Sequence, residues 1–377
     1  MPFINSLARE NKNLLLSTII AEIEANGPML FSRFMEMALY HPDYGYYVSD
    51  LSAVGKSGDF VTSVSCGDVF GSLLCERFLD WSSESSESER GESRWIEVGA
   101  HNGQLAKDIL TYCRKNRPDR YPNVQYEIIE PSQTRMAAQM DLLADHLPRI
   151  RWRRSWNEYS LRSVRGVIFS NELLDSFPVD RISWDAAQKT WFLWSVTFMN
   201  GELAWIRTPI SCSLRRQEFI DSLPEELLTH LPDGFTTELG TAACDWWRDA
   251  ANRLDRGRLL AIDYGLRRED FFAPHRHEGT LRAYSQHRQN TDLLQNPGKQ
   301  DLTSHVNFSA IESTGESVGL TSVGLESQES FLTKILQRLV KRTPDSSFLD
   351  PKRIRQLQSL IHPSHFGRSF SVLVQKR

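Results

Sequence analysis

This chain of 377 residues has no long apolar run, no cysteine framework and no large excess of either charge. The most apolar early stretch, Leu14 to Ala21, is far short of the roughly 20 residues that cross a bilayer. Glu10 comes early and no apolar core surrounds it, so no secretory leader is expected and a cytoplasmic location is. The five cysteines (Cys66, Cys75, Cys113, Cys212 and Cys244) are odd in number, scattered and without a CxxC pair. This argues against a disulfide scaffold or a zinc site and fits reduced thiols. The net charge of −4, from 44 basic and 48 acidic residues, offers no general attraction to nucleic acid or to an anionic membrane. There is no internal repeat. What is present is ordinary for a globular chain: 40% hydrophobic and 24% charged residues, enough for a sizeable core in two or three units.

Helical spacing covers residues 13–40 in two segments broken at Asn26-Gly27-Pro28, and again about Asp68 to Trp81. The Ser/Glu-rich stretch from Ser82 to Ser93 has no apolar periodicity and is expected to be an exposed connection. Short apolar strands then alternate with helices. The strands are Trp95–Gly99, Val124–Ile129, Ile150–Trp152 and Gly166–Ser170; the helices are Leu105–Arg114 and Gln133–Leu147. The alternation pauses from about 180 to 255. There Asn200-Gly201 joins two strands as a hairpin, and helices are expected near Leu214–Ser222 and Thr236–Leu254. It resumes with strands Gly257–Gly265, Leu320–Leu325 and Phe370–Val374 and a helix from Gln328 to Val340. A polar loop is expected over 266–304. Seven strands alternating with helices indicate an α/β fold with a largely parallel, Rossmann-like sheet. The expected division is an N-terminal helical region (1–90), a core (91–180 and 256–377) and an α+β insertion after the fourth strand (181–255).

The informative unit is the strand–turn–helix from Trp95 to Leu110. Gly99 and Gly103 free the backbone for close approach by a ligand. Glu130, at the tip of the next strand, can accept both hydroxyls of a ribose. The glycines do not complete the dinucleotide fingerprint GxGxxG, and Glu97 just before the turn would oppose a pyrophosphate. That carboxylate suits the cationic end of S-adenosylmethionine, which carries no phosphate. The fourth strand ends in Asn171-Glu172-Leu173-Leu174-Asp175, at the crevice edge of such sheets. Its carboxylates and amide can orient a cationic acceptor, a guanidinium above all, through bidentate bonds. The alternative is that Asp175 caps a helix and Glu172 pairs with a nearby base. Asp263-Tyr264-Gly265 is either part of the site or a strand-terminal turn.

Several segments taken together resemble the MidA-like methyltransferases, a family that includes a mitochondrial complex I assembly-factor arginine methyltransferase. They are Phe31–Tyr47, Gly58–Ser63, Val69–Gly71, Glu97–Leu105, Ile128–Ser132, Asn171–Val179, Leu259–Gly265, Gly279–Tyr284, Pro297–Phe308 and Ser327–Leu332. The resemblance implies a seven-stranded class I methyltransferase core that uses S-adenosyl-L-methionine and acts on a protein arginine. It implies cofactor contacts from Glu97, Gly99, Gly103, Glu130 and Asn171, a loop of Gly58, Asp59, Thr62 and Ser63 folded over the cofactor, and an active-site wall of Asn171 and Glu172. Glu172 or Asp175 is expected to orient the guanidinium and take its proton.

Two departures from the family pattern touch this site. Ala100-His101 stands where the family has Pro-Gly, and Ser63-Val64-Ser65 lacks the Pro-Glu that usually follows the threonine. His101 either contacts the cofactor or blocks its pocket. The alternative function is therefore a methyltransferase fold that has lost its donor and serves as an assembly or interaction module. No metal is expected, since His275, His277, His362 and His365 lack partner ligands at metal spacing. The Arg149–Arg154 run is read as a strand with one solvated face. The hairpin tryptophans Trp191, Trp194 and Trp205 are either packing residues or a partner surface.

Overall fold

The computed structural model describes residues 2–49, 62–84, 93–210, 213–285, 288–342 and 350–377. Its central sheet contains β1 (Ser93–Val98), β2 (Val124–Ile129), β3 (Ile150–Arg153), β4 (Val164–Asn171), β5 (Leu254–Leu266), β6 (Thr321–Ser327) and β7 (Phe370–Lys376). Their order is β3-β2-β1-β4-β5-β7-β6. The first five are parallel, and β7 runs antiparallel to both of its neighbours. Runs such as Val167–Ser170 and Leu259–Ile262 are buried along their whole length, as strands covered on both faces must be.

The longer helices are α1 (Pro2–Asn26), α2 (Phe31–Tyr40), α3 (Val69–Ser83), α4 (Gln104–Asn116), α5 (Gln133–Leu142), α6 (Thr241–Arg253), α7 (Phe308–Ser317), α8 (Gln328–Arg342) and α9 (Pro351–Ile361), with shorter ones at Tyr46–Ser49, Leu214–Asp221, Glu225–His230 and Arg268–Phe271. One face of the sheet packs against α3, α4, α8 and α9 through Phe78, Trp95, Ile109, Phe169, Leu332 and Phe370. The other face packs against α6 and α7 through Ile168, Trp247, Leu259 and Phe308. This is the Rossmann-like core expected from the alternation of strands and helices. Parallel strands all end on one edge, so the β1, β2 and β4 loops converge there.

A second sheet joins Met29–Leu30, Asp180–Asp185, Thr190–Met199, Glu202–Pro209 and Thr236–Leu239. Its hairpin turns at Asn200 (φ 55°) and Gly201 (φ 86°), the left-handed pair that such two-residue turns need. Trp191 packs against Trp184, and Trp205 packs against Phe31 of α2 at 5.0 Å, so both rings are used in packing. Thr236–Leu239 is a strand and not the start of the α6 helix, because it pairs with Asp180–Ser183. Residues 266–304 are more than a loop: Arg282–Ser285, Arg288–Asn290 and Asp301–Thr303 form a small antiparallel sheet. The helix expected to reach Leu147 stops at Leu142 and continues as a tighter turn through Arg149, with Pro148 inside it. Most of the Ser82–Ser93 connection lies outside the described residues.

Candidate active site

The turn after β1 has three left-handed residues, Gly99 (φ 78°), His101 (φ 47°) and Gly103 (φ 85°), and the Gly103 N–H closes it on the Ala100 carbonyl at 2.7 Å. A non-glycine residue adopts this torsion at a cost of about 1–2 kcal/mol. Here Gln139 of α5 supports it by donating to the His101 carbonyl at 2.8 Å. The same amide donates to Glu130 at 3.2 Å and accepts from the Trp152 indole at 2.9 Å. Gln139 is fully buried, and it ties the glycine turn to the tip of β2. Its one sequence signal was a polar residue on the inner face of a helix.

A cavity of about 1260 Å³ opens at this strand edge. That is above the ~300–1,000 Å³ usual for a single ligand, so two groups fit side by side. Glu97, Gly99, His101, Glu130, Asn171, Glu172, Asp175 and Thr62 all line it. His101 forms part of its wall and does not close it. Two residues expected at the site support it without lining the cavity. Gly103 caps α4 and faces Gln139 and Leu143, so it shapes the turn without lining the cavity. The Ser63 side chain is buried and donates to Gln328 of α8 at 3.2 Å, while its backbone N–H approaches the Glu172 carboxylate. Gly58 and Asp59 lie outside the described residues.

The two ends of the cavity differ in chemistry. At the β1–β2 end, Glu97 is buried and accepts the Tyr126 hydroxyl at 2.5 Å. Burial, with Asp108 nearby, pushes its carboxyl up to about 7. Glu130 accepts the Ser132 N–H at 2.9 Å, and burial raises its pKa. Burial and the Arg135 charge lower His101 to about 4, so its ring is neutral at working pH.

At the β4 end, Glu172 sits in a left-handed turn (φ 51°) that is pinned from β5. Its N–H donates to the Ile262 carbonyl at 2.9 Å. Asp263 accepts the Leu173 and Leu174 N–H groups at 3.1 and 2.8 Å. Asp263 is wholly buried and holds this turn, while Tyr264 beside it lines the cavity, so the segment both ends the strand and forms part of the site wall. The Glu172 carboxylate accepts the Asn171 amide at 3.1 Å, and burial pushes it up to about 8. Asp175 is raised well above the usual range by burial and by the charges of Asp263, Asp301 and Glu172. It does not cap a helix through its side chain.

Sequence reasoning missed Asp301, Tyr40 and Tyr47. Tyr47 donates to Asp301 at 2.9 Å, and Tyr40 donates to the Ser176 carbonyl at 3.0 Å. These contacts bind the N-terminal segment and the small 282–303 sheet to the β4 turn. Among the described residues no three His, Cys, Asp or Glu side chains converge to hold a metal ion.

The raised carboxyls have a consequence for stability. Glu97, Asp108, Glu172 and Asp263 hold protons in the fold up to about 7, 6, 8 and 7, well above their values in an open chain. Each therefore adds stability that is complete below about pH 4 and is lost as the pH rises through its folded value. The melting temperature of the ligand-free protein is expected to fall steadily from pH 5 to pH 8.5 by differential scanning fluorimetry. A flat or rising profile would contradict this assignment.

A family model described as "Putative S-adenosyl-L-methionine-dependent methyltransferase" matches residues 73–326. The chain belongs to this methyltransferase family. The methyltransferase is similar to "Protein arginine methyltransferase NDUFAF7, mitochondrial" of Rattus norvegicus, 24% identical over 94% of this chain and 83% of the relative. It is similar to the Drosophila melanogaster homolog of that protein at 24% identity, over 84% of this chain and 74% of the relative. A crystal structure from Burkholderia thailandensis with S-adenosyl-homocysteine bound superposes with a TM-score of 0.83, at 28% identity, over 98% of this chain and 93% of that one. S-adenosyl-L-methionine is thus the methyl donor of this methyltransferase. No helix among the described residues is long and apolar enough to cross a membrane.

Proposed function

We propose that this methyltransferase transfers a methyl group to the guanidinium of an arginine in a protein substrate. The observation that carries the reading is the clustering of three carboxylates, the buried Asp175 and Asp301 with the half-buried Glu172, on the cavity that the glycine turn also lines. A planar cation with five donors suits such a cluster, because it supplies the missing charge and fills the acceptor positions. The relatives' names agree with this chemistry.

The donor end fits S-adenosylmethionine. The Asn171 Oδ1 is buried and has no hydrogen-bond partner among the described residues, so it offers an acceptor to a ligand. Gly99 lines the cavity with its backbone, its missing side chain making room for Leu173, and the Glu130 carboxylate stands at the β2 tip for a ribose. Glu97, Gly99, His101, Glu130 and Asn171 would hold the cofactor, whose contribution is a sulfonium methyl group open to displacement. Glu172 and Asp175 then orient the guanidinium so that one nitrogen lies in line with that methyl carbon. As the carbon–nitrogen bond forms and the carbon–sulfur bond breaks, the nitrogen must shed a proton. Glu172 takes it, since a carboxylate with a raised pKa is the better base.

Paired arginine and citrulline peptides test this reading. Citrulline keeps the shape of arginine and loses the charge. With S-adenosylhomocysteine present, the arginine peptide is expected to bind at least about tenfold tighter, on the scale of one charge-assisted bond. Its affinity is expected to rise from pH 6 to pH 8.5, because carboxyls that are protonated in the free site must ionise to pair with the cation. Equal binding of the two peptides would count against the proposal. A cytoplasmic location belongs to the same proposal. It is supported by the free thiols Cys75, Cys113 and Cys244, and cell fractionation decides between it and the mitochondrial location in the relatives' names.

A further inference from the structure

A second cavity of about 280 Å³ shares Ser304 and His305 as lining residues with the large one. Its charge is opposite in character. Three arginines from three segments line it: Arg215, Arg248 and Arg268. Arg215 and Arg248 share a single carboxylate oxygen of Asp245, at 3.0 and 2.7 Å. Arg268 donates to the Ser222 carbonyl at 3.3 Å and has no carboxylate partner among the described residues. Three carboxylates answer the three arginines, Asp245 with the lining Glu218 and Glu238, but among the described residues none of them pairs with Arg268. Glu218 lies 3.9 Å from Arg215. Glu238 is buried and already occupied by the Thr280 N–H and hydroxyl and the Leu281 N–H. Between the two cavities stands His305, whose Nδ1 is buried without a hydrogen-bond partner among the described residues. Burial and the charges of Arg276 and Arg282 lower its pKa to about 4, so the partition is uncharged.

We propose that the small cavity binds a carboxylate of the acceptor substrate, held by Arg268 with Arg215 and Arg248, while the substrate's guanidinium enters the large cavity. The proposal rests on the reading of the large cavity as an arginine site. An acidic and a basic cavity with a common wall select a ligand that carries both charges a short distance apart. The carboxylate is either an acidic side chain near the arginine or the α-carboxylate of arginine itself. A planar guanidinium fork is well matched to either.

The test uses the full-length protein with S-adenosylhomocysteine and amide-capped peptides. Each peptide has one central arginine and one aspartate, moved from four positions before it to four after, and each has an asparagine twin. Affinity is read by fluorescence anisotropy. Alkylation of Cys244, which lines the small cavity, is read by N-ethylmaleimide labelling and peptide mapping. At one spacing or more the aspartate peptide is expected to bind about tenfold tighter than its twin and to slow Cys244 alkylation, and Arg268→Gln is expected to bring the ratio near one. Preference for free L-arginine over agmatine, with no aspartate effect, would assign the site to the amino acid's own carboxylate. Aspartate equal to asparagine at every spacing, with L-arginine no tighter than agmatine, would overturn the proposal. If no arginine probe binds at all, N-acetyl-aspartate decides: protection of Cys244 keeps the carboxylate site and removes the arginine reading, and no protection removes the site as well.

Discussion

Replacing Glu172 by glutamine is expected to lower turnover by about 10²–10⁴-fold, the range over which a positioned base contributes to a proton transfer. The substitution keeps the size of the side chain and one acceptor oxygen. At neutral pH the native group is already largely protonated in the free site, with its carboxyl at about 8, so an amide should not disturb the ligand-free fold. What is lost is the ability to ionise, pair with a guanidinium and take its proton. The effect should therefore fall mainly on turnover, with S-adenosylhomocysteine affinity little changed. The native pH profile should rise toward pH 8 and that of Glu172→Gln should flatten. An unchanged rate, or a loss confined to cofactor affinity, would remove Glu172 from the acceptor role. Asp175→Asn should weaken acceptor binding more than turnover, because Asp175 contributes charge to the cluster.

The second large effect concerns the fold. Gly257 of β5 pairs with Gly166 of β4, which in turn pairs with Arg94 of β1. A Cβ on Gly257 would lie 1.8 Å from the Gly166 carbonyl oxygen, and a Cβ on Gly166 would lie 2.0 Å from that of Arg94. Both glycines have torsions that side chains rarely adopt, φ 135° and 142°. The obstructing atoms are backbone of the central parallel strands, so no side chain can yield. Gly257→Ala is expected to cost about 3–5 kcal/mol from overpacking and strain together. That is a large share of a typical stability of about 5–15 kcal/mol. Gly324→Ala in β6 is the control: nothing lies within 4 Å of its added carbon, and its unfolding midpoint in urea should hardly move. Equal midpoints for the two variants would refute the account of this strand contact.

Local signals read well from the sequence because each rests on neighbouring residues. The apolar run of β1 followed by Gly99, the acidic tip of β2 at Glu130, and the Asn171-Glu172 end of β4 are single strand–turn units. The sequence order of the parallel strands then brings them to one edge. The Asn200-Gly201 hairpin was legible for the same reason. Contacts that join distant segments were not. Asp301 reaches the cavity through a small sheet in a stretch whose polar composition read as loop, and Tyr40 and Tyr47 reach it from the N-terminal helical region. Gln139 was hidden in helical periodicity, where a lone polar residue carries little weight until Trp152 and Glu130 are seen around it. Ser63 and Gly103 mislead in the opposite way. Their motifs mark the right turns, but the Ser63 side chain faces Gln328 while its backbone meets Glu172, and Gly103 serves the torsion of the α4 cap. Thr236–Leu239 was drawn into a helix because β-branched residues before a helix show their preference only when a partner strand is present.

The most direct test of the central claim identifies the residue that receives the methyl group. Purified protein is incubated with S-adenosylmethionine labelled in its methyl group and with protein extract from cells lacking this chain. Acid hydrolysis and chromatography then assign the label, with Glu172→Gln in parallel and calorimetry of S-adenosylhomocysteine on both proteins. The expected result is label in methylated arginine for the native protein, loss of most of it in the variant, and cofactor binding by both. Label in another amino acid or in the small-molecule fraction, or a native protein that binds no S-adenosylhomocysteine, would contradict it.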